Sequence, residues 1–172
     1  QGQPDVEVAQ VVLRGAEVVE NSQPLTPSLL SQFDLFWTLD SWASWSPGET
    51  AALVQWVAAG GGLLIESDEA GDMYNPILSM MGVGITFLPQ YGGSGTTSAI
   101  YPHATTESIA SLFYGNPLST LSLSEPPAIL LVRSSASFPV TACAQAGLGR
   151  VLVVSDEIFD DWDIASADNR QF

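Results

Sequence analysis

Four consecutive residues of this chain, at positions 66 to 69, have side chains that could support acid–base chemistry. Glu66, Ser67, Asp68 and Glu69 directly follow a short apolar run, Leu63-Leu64-Ile65. Carboxylates crowded beyond the end of a strand raise one another's pKa and could serve as acid and base. His103, the only histidine, could join them as a base or a metal ligand. This pattern predicts a hydrolase-like site, and the alternative interpretation is a solvated loop.

A second acidic stretch lies near the end of the printed sequence. Its candidate ligands are Asp156, Asp160, Asp161, Asp163 and Asp168. Hard oxygen ligands at this density could hold Ca²⁺ or Mg²⁺, although their spacing is not that of an EF-hand loop. The stretch therefore predicts a calcium or small-ligand module as a further alternative. No other cofactor is expected.

Two tryptophans occur in the loop between Asp40 and Gly48. Trp42 and Trp45 could stack on a sugar or become buried in a protein partner. The competing interpretation is that both rings pack as core at the end of a sheet. Carbohydrate therefore joins protein as a candidate partner.

The elements that position these residues are clearest around the first acidic stretch. A mostly apolar helix runs from Glu49 to Ala58 and is preceded by a start signal at Ser46-Pro47. Glycines 60 to 62 end it, because glycine accepts the positive φ of a helix C-cap. The apolar run 63–65 is typical of a strand covered on both faces. In open α/β sheets, ligands collect beyond the carboxyl ends of such strands.

The remaining elements follow from apolar patterning and from glycine or proline boundaries. Strands are predicted at 16–19, 33–39, 83–88, 128–133 and 150–156, with a hairpin partner at 139–145. Helices are predicted at 6–13, 75–81 and 108–113, and a first strand is the less favoured alternative for 6–13. Cys143 falls inside the hairpin partner, where a buried thiol is the expected role. As the only cysteine, it excludes an internal disulfide.

Charge limits the classes of partner. The chain carries four arginines, no lysine and nineteen acidic residues, which gives a net charge of -15. A field of that sign repels nucleic acid and anionic lipid. No apolar run approaches the roughly 20 residues that cross a bilayer, so membrane insertion is not expected. The abundance of Ser, Thr, Pro and Trp without lysine favours an extracellular or periplasmic setting. The length of 172 residues fits a single domain.

Several short motifs together resemble the class I glutamine amidotransferase-like superfamily. They are Phe33–Phe36, Gly60–Ile65, Gly149–Asp156 and Asp168–Phe172. The pattern is most similar to the uncharacterised, non-catalytic branch that includes intraflagellar-transport-52-like and gliding-motility-G-like domains. The resemblance implies an α/β fold with three flavodoxin-like layers, in which a mostly parallel sheet has helices on both faces.

The resemblance also bears on function. Amidotransferases of this superfamily place a catalytic cysteine in the turn after the strand that here ends at Glu66, whereas this chain has Ser67, Asp68 and Glu69 there. It therefore implies a non-catalytic extracellular interaction or assembly domain. The family normally opens with a strand and closes with a helix after the Asp-Asn pair, so residues 1–172 are expected to form one domain that lacks both. A protein partner or self-association would then complete the layer.

Overall fold

The computed structural model describes residues 17–39, 45–68, 71–89, 93–115, 119–124, 126–159 and 163–172. Within these ranges there are three α-helices and nine strands. The helices are α1 (Pro27–Leu30), α2 (Pro47–Ala58) and α3 (Asn75–Met81). The strands are β1 (Leu35–Leu39), β2 (Gly62–Glu66), β3 (Ile85–Leu88), β4 (Gly95–Thr97), β5 (Leu112–Tyr114), β6 (Thr120–Leu123), β7 (Ile129–Arg133), β8 (Pro139–Ala146) and β9 (Gly149–Val154).

A five-stranded mixed sheet forms the centre, with the strand order β1-β2-β9-β8-β7. Strands β1, β2 and β9 run parallel to one another. In their register, Leu64 of β2 lies between Trp37 of β1 and Leu152 of β9. Strands β8 and β7 continue the sheet in antiparallel fashion. Two small antiparallel pairs, β3–β6 and β4–β5, lie outside it.

The predicted three-layer flavodoxin-like arrangement, a mostly parallel sheet with helices on both faces, is wrong. Strands β8 and β9 are joined by a tight turn at Gly147-Leu148, which reverses the chain and makes the pair antiparallel. A parallel pair would need a crossover of a dozen or more residues. The number of helices in the described residues is also too small to cover both faces.

The two faces of the central sheet are covered by different kinds of structure. On one face, Leu63 and Ile65 pack with Leu53 and Val57 of α2 in the larger buried cluster. On the other face, Val154 joins a second cluster whose members come from strands and from the chain after β9. Those buried members are Leu112, Tyr114, Leu131, Val132, Val140, Val154 and Ile158. Strands and turns therefore occupy the place of the expected second helical layer.

Helix α2 begins as its sequence predicts. Ser46 Oγ accepts a hydrogen bond from the Glu49 amide, and Glu49 Oε2 accepts one from the Ser46 amide, which makes a capping box. Glu49 Oε1 also accepts a bond from the Leu25 amide at 3.1 Å. One carboxylate thus fixes both the start of the helix and the segment before α1.

The end of α2 meets the hairpin between β8 and β9. The Leu148 amide donates to the Ala58 carbonyl at 2.9 Å. A Cβ atom built on Gly149 would lie 2.0 Å from the Val57 carbonyl oxygen. Because backbone occupies that space, only glycine fits there.

Most of the other predicted elements are present. Helix 75–81 is confirmed, with Gly82 in the left-handed conformation at its end (φ 65°). The strands predicted at 33–39, 63–65, 83–88, 128–133, 139–145 and 150–156 correspond to β1, β2, β3, β7, β8 and β9. Strand β3 lies outside the central sheet. No described helix combines the length and apolar character that crossing a bilayer demands.

Two local predictions fail, and a third lies outside the described residues. The helix predicted at 108–113 is wrong, because Ser108 has a φ of 69° and Leu112 begins β5. The strand predicted at 16–19 is wrong for 17–19, which have no regular structure, whereas Ala16 is outside the described ranges. The predicted helix at 6–13 is outside them as well.

Candidate functional site at the carboxyl edge of the sheet

The turn after β2, where the first acidic stretch begins, is enclosed. Glu66 and Ser67 are both 0% exposed. The indole Nε1 of Trp37 donates to Glu66 Oε2 at 2.9 Å, and the Ser67 amide donates to the Val154 carbonyl at 3.1 Å. The Ser67 side chain is therefore in the interior and not at the mouth of a cleft.

The segment before β6 closes over this turn. The Ser119 hydroxyl donates to the Asp68 carbonyl, and the Ser155 hydroxyl donates to the Ser119 carbonyl at 3.0 Å. All three serines of this edge, Ser67, Ser119 and Ser155, are buried. Glu69, the last residue of the predicted cluster, lies outside the described residues. Among the described residues, the segment before β6 thus lies directly against the turn after β2.

Asp156 and Tyr114 form the polar centre of this edge. Asp156 Oδ2 accepts a hydrogen bond from the Gly115 amide at 2.6 Å, and the Tyr114 hydroxyl bonds to Thr141 Oγ1 at 2.7 Å. Burial raises the pKa of Tyr114, and the negative charges of Asp156 and Glu66 raise it further. Tyr114 is consequently a neutral hydrogen-bonding group that cannot act as a base.

Asp168 and Asn169 tie the end of the described chain to the segment before and within β5. Asp168 Oδ2 accepts bonds from the Ser111 and Ala110 amides, each at 2.9 Å. These backbone bonds hold the pKa of Asp168 below its ordinary value. Asn169 is 0% exposed and accepts from the Phe113 amide at 2.9 Å. Its Nδ2 donates to the carbonyls of Phe113, Ile158 and Asp163.

Sequence reasoning missed this role of Asn169. The Asp-Asn pair was visible as a motif, but nothing in its spacing pointed to partners 56 residues earlier in the chain. Asp168 and Asn169 have a structural role, because their side chains form hydrogen bonds with backbone groups that no neighbouring strand reaches.

The predicted metal ligands do not form a site among the described residues. Asp156 and Asp168 bind backbone amides, whereas Asp160 and Asp161 lie outside the described ranges. Asp163 is near Asp156, because a Cβ atom on Gly115 would lie 2.6 Å from Asp163 Oδ2 and 3.7 Å from Asp156 Oδ2. In the part of the chain that is described, no three His, Cys, Asp or Glu residues are grouped so that they could hold a metal ion. The calcium site stays a prediction.

His103 is paired with Cys143. Its Nδ1 accepts a bond from the Thr105 amide at 3.1 Å, and its Nε2 lies 3.8 Å from Cys143 Sγ. Cys143 is paired with Leu152, two positions before the end of β9 at Val154. The predicted site shared by His103 and the carboxylates after β2 stays a prediction.

The Cys143–His103 pair does not have the features of a nucleophile and its base. Burial raises the pKa of the Cys143 thiol, and the thiolate is the reactive form. An open cleft of about 530 Å³ lies beside His103 and is lined by residues of the segment 100–109. The pair joins that segment to β8.

Trp45 belongs to the core. Its ring packs edge-on against Phe36 at 5.9 Å and against the buried Tyr74 at 6.0 Å. The core interpretation is therefore correct for this tryptophan. Trp42 lies outside the described residues.

The fold has counterparts among solved structures. The mmIFT52 N-terminal domain superposes with a TM-score of 0.79 at 18% identity, over 96% of this chain and 85% of that one. A putative ThuA-like protein from Bacteroides uniformis has a TM-score of 0.58 at 13% identity, over 84% of this chain and 68% of that one. An exo-beta-1,4-mannosidase from an Opitutaceae bacterium has a TM-score of 0.62 at 16% identity, over 96% of this chain and 28% of that one.

No family model and no curated protein sequence matches the chain. At identities of 13–18%, likeness to solved structures shows the fold and not the activity. The likeness of fold to the IFT52 N-terminal domain agrees with the predicted intraflagellar-transport-52-like resemblance at the level of structure only. In its fold, this chain is similar to the IFT52 N-terminal domain and to ThuA-like proteins.

Proposed function

We propose that this chain is a non-catalytic protein-interaction domain built on an amidotransferase-like fold. The observation that carries the proposal is the enclosed turn after β2. Ser67 is 0% exposed at the position where the resemblance puts a nucleophile, and Ser119 is bonded to the carbonyl of Asp68. A nucleophile must reach a substrate atom at bonding distance, so a buried hydroxyl beneath the protein's own backbone cannot do this chemistry.

The other residues suited to catalysis support the same conclusion. Glu66 accepts the Trp37 indole bond, and Asp156 accepts the Gly115 amide bond. These carboxylates act as internal hydrogen-bond acceptors at the sheet edge. His103 Nε2 lies 3.8 Å from Cys143 Sγ of β8.

An apolar patch at the opposite, amino end of the parallel strands supports a protein partner. We define the amino-edge patch as Leu35 and Leu148, whose side chains are 55% and 77% exposed. Leu35 is paired with Gly62, and the Leu148 amide is bonded to Ala58 beside the same strand start. Burial of two such side chains contributes about 25 cal/mol for each Å² removed from water. A net charge of -15 favours a partner with a basic surface.

The fold also occurs as a minor part of a longer chain, since the match to the mannosidase covers 28% of that enzyme. This supports a domain that works within or beside other parts. The proposal includes the extracellular or periplasmic setting expected from composition.

Site-specific photocrosslinking tests the interaction. A benzophenone side chain at Leu148 of the full native protein should give one defined crosslinked protein, either a second copy of the chain or another protein. The same probe at Met80, which is 59% exposed on α3, is the matched control and should give none. The crosslinked protein, once purified, should bind the wild-type chain and lose at least about tenfold in affinity for Leu148→Asp. Unchanged binding by Leu148→Asp and by Leu35→Asp would reject this patch.

Turnover assays test the non-catalytic part separately. Purified protein should release no ammonia from glutamine and should hydrolyse no activated ester or amide above background. Ser67→Ala and Cys143→Ala provide the comparison. Turnover by the wild-type protein that either substitution abolishes would overturn the proposal.

A further inference from the structure

The open cleft of about 530 Å³ beside His103, which we call the 100–109 cleft after the segment that lines it, lies next to the outer edge of β7. A volume of this size is in the range of sites that hold a small molecule or a few side chains of a peptide. None of the residues that line it belongs to the enclosed turn after β2 or to the amino-edge patch. It is therefore a separate candidate site.

The segment that forms the cleft is held by hydrogen bonds to β7 and within itself. The Tyr101 amide donates to the Leu131 carbonyl of β7 at 2.8 Å. The hydroxyl of the buried Thr106 donates to the Tyr101 carbonyl at 2.7 Å and accepts from the His103 amide at 3.0 Å. His103 Nδ1 in turn accepts from the Thr105 amide at 3.1 Å. Because the cleft has this formed shape, a ligand does not have to order it on binding.

The lining combines apolar walls with one carboxylate. Ile100 and Ile109 also pack against the second buried cluster, so they are the fixed apolar side of the cleft. The side chain of Tyr101 is 42% exposed. Glu107 supplies the carboxylate, which forms no hydrogen bond or ion pair within the part of the chain that the structure describes. Apolar walls suit an alkyl stem, and the carboxylate suits a cationic head group.

No cation of the described chain occupies the position beside Glu107. None of the described residues that line the cleft is a lysine or an arginine. Arg133 donates from Nε to the Tyr101 hydroxyl at 3.2 Å and from Nη1 to the Ser137 carbonyl at 2.8 Å, so its head group is bonded elsewhere. The net charge of -15 repels anionic ligands and attracts cations to the whole surface. Selectivity for this cleft therefore has to come from its walls and from the position of Glu107.

We infer that the 100–109 cleft binds a lysine or arginine side chain presented by a basic peptide segment. The alkyl stem lies against Ile109 and the apolar walls, and the cationic head group meets the Glu107 carboxylate. Both side chains share this chemistry of a long apolar stem with a charged end. The inference does not depend on the amino-edge patch or on the absence of catalysis.

A labelled peptide of sequence Gly-Lys-Gly-Lys-Gly tests the inference by fluorescence anisotropy with the wild-type protein. The same peptide with both lysines acetylated keeps the stems but loses the charges, and it should bind at least about tenfold more weakly. Two-dimensional NMR with the unmodified peptide should show the largest shift changes at the amides of 100–109, with the Val151 and Val153 amides of β9 unaffected.

A charge-matched pair of variants separates the cleft from the overall field. Glu107→Gln should weaken binding of the unmodified peptide about fivefold, because an ion pair at a partly open site contributes about 1 kcal/mol. Glu20→Gln removes the same charge from another exposed glutamate, and it should weaken binding less than about twofold.

Four results would overturn the inference. The unmodified peptide does not bind, or the acetylated peptide binds equally well. The shift changes lie outside 100–109, or the two glutamate variants lose affinity equally, which would mean that net charge alone attracts the peptide. The first three results are read from the wild-type protein, so they decide the question even if a variant folds poorly. Each of the four leaves the crosslinking test at Leu148 intact.

Discussion

Asn75 tests how burial affects the stability that a side chain contributes when it hydrogen-bonds to the backbone of a strand. Its Oδ1 accepts a bond from the Phe87 amide at 2.8 Å, and its Nδ2 donates to the Phe87 carbonyl at 3.0 Å. Both bonds join α3 to β3. Phe87 is buried at 2% exposure and packs against Tyr74. Asn75→Ala removes both bonds and leaves both Phe87 backbone groups without that partner.

The expected cost follows from those two bonds. A typical hydrogen bond contributes about 1 kcal/mol net, and a buried group left without a partner costs more. We expect Asn75→Ala to lower the free energy of unfolding by about 2 to 3 kcal/mol. For a chain of this size, that corresponds to a fall in Tm of roughly 4 to 10 °C.

Asn21 provides the matched control. It makes the same pair of bonds to one residue, accepting from the Gln23 amide at 3.1 Å and donating to the Gln23 carbonyl at 2.7 Å, but it is exposed. Because water can replace both bonds, Asn21→Ala should cost less than about 0.5 kcal/mol.

Urea unfolding followed by tryptophan fluorescence measures both variants, with the m-value checked for constancy. Equal costs for Asn75→Ala and Asn21→Ala, at unchanged m, would refute the reasoning. The number of hydrogen bonds lost, regardless of their burial, would then be sufficient to explain the loss of stability in both variants.

Three further outcomes are expected. Gly149→Ala should lower the free energy of unfolding by about 3 kcal/mol or more in urea, because its Cβ would lie 2.0 Å from the Val57 carbonyl oxygen. Gly48→Ala, near the start of α2 where a Cβ has space, is the control and should be neutral or stabilise by about 0.5 kcal/mol. Equal effects of the two substitutions would contradict the close approach at Gly149. Backbone bonds hold the pKa of Asp168 below its usual value of 3.8. The contribution of Asp168 to stability is therefore present above that pH and is lost as the pH falls through the lower, folded-state pKa. Below about pH 4, the urea midpoint of Asp168→Asn should fall less steeply with pH than that of the wild-type protein. Burial raises the pKa of the Cys143 thiol, so at pH 8 it should react with a disulfide reagent roughly tenfold more slowly in the native protein than in urea, and an equal or faster native rate would reveal an activated thiol.

The local elements could be predicted because their signals are local. Ser46, Pro47 and Glu49 lie within one helical turn, and the capping box they predict needs no other part of the chain. Gly82 ends α3 for the same reason, since only its own φ matters. The helix predicted at 108–113 failed where a distant contact overrode the apolar pattern. The Ala110 and Ser111 amides bind Asp168, 57 to 58 positions away.

The candidate site was predicted in position but not in character. The motifs correctly located the end of β2 and the absence of a cysteine there. They could not show that Ser119 closes over Asp68, or that Asp156 is bonded to Gly115. Carboxylates in a sequence look alike whether they face water or a backbone amide. Only the path of the chain around them decides between catalysis and structure.

The sequence by itself determined the helix and strand periods, the glycine stops, the strong negative charge and the lack of a cysteine after Glu66, because each depends on residue type and near neighbours. The tertiary structure alone decided that β8 and β7 extend the sheet in antiparallel fashion, that strands and turns cover its second face, and that His103 faces Cys143. Those outcomes depend on which distant surfaces bury one another, and burial is a property of the packed chain as a whole.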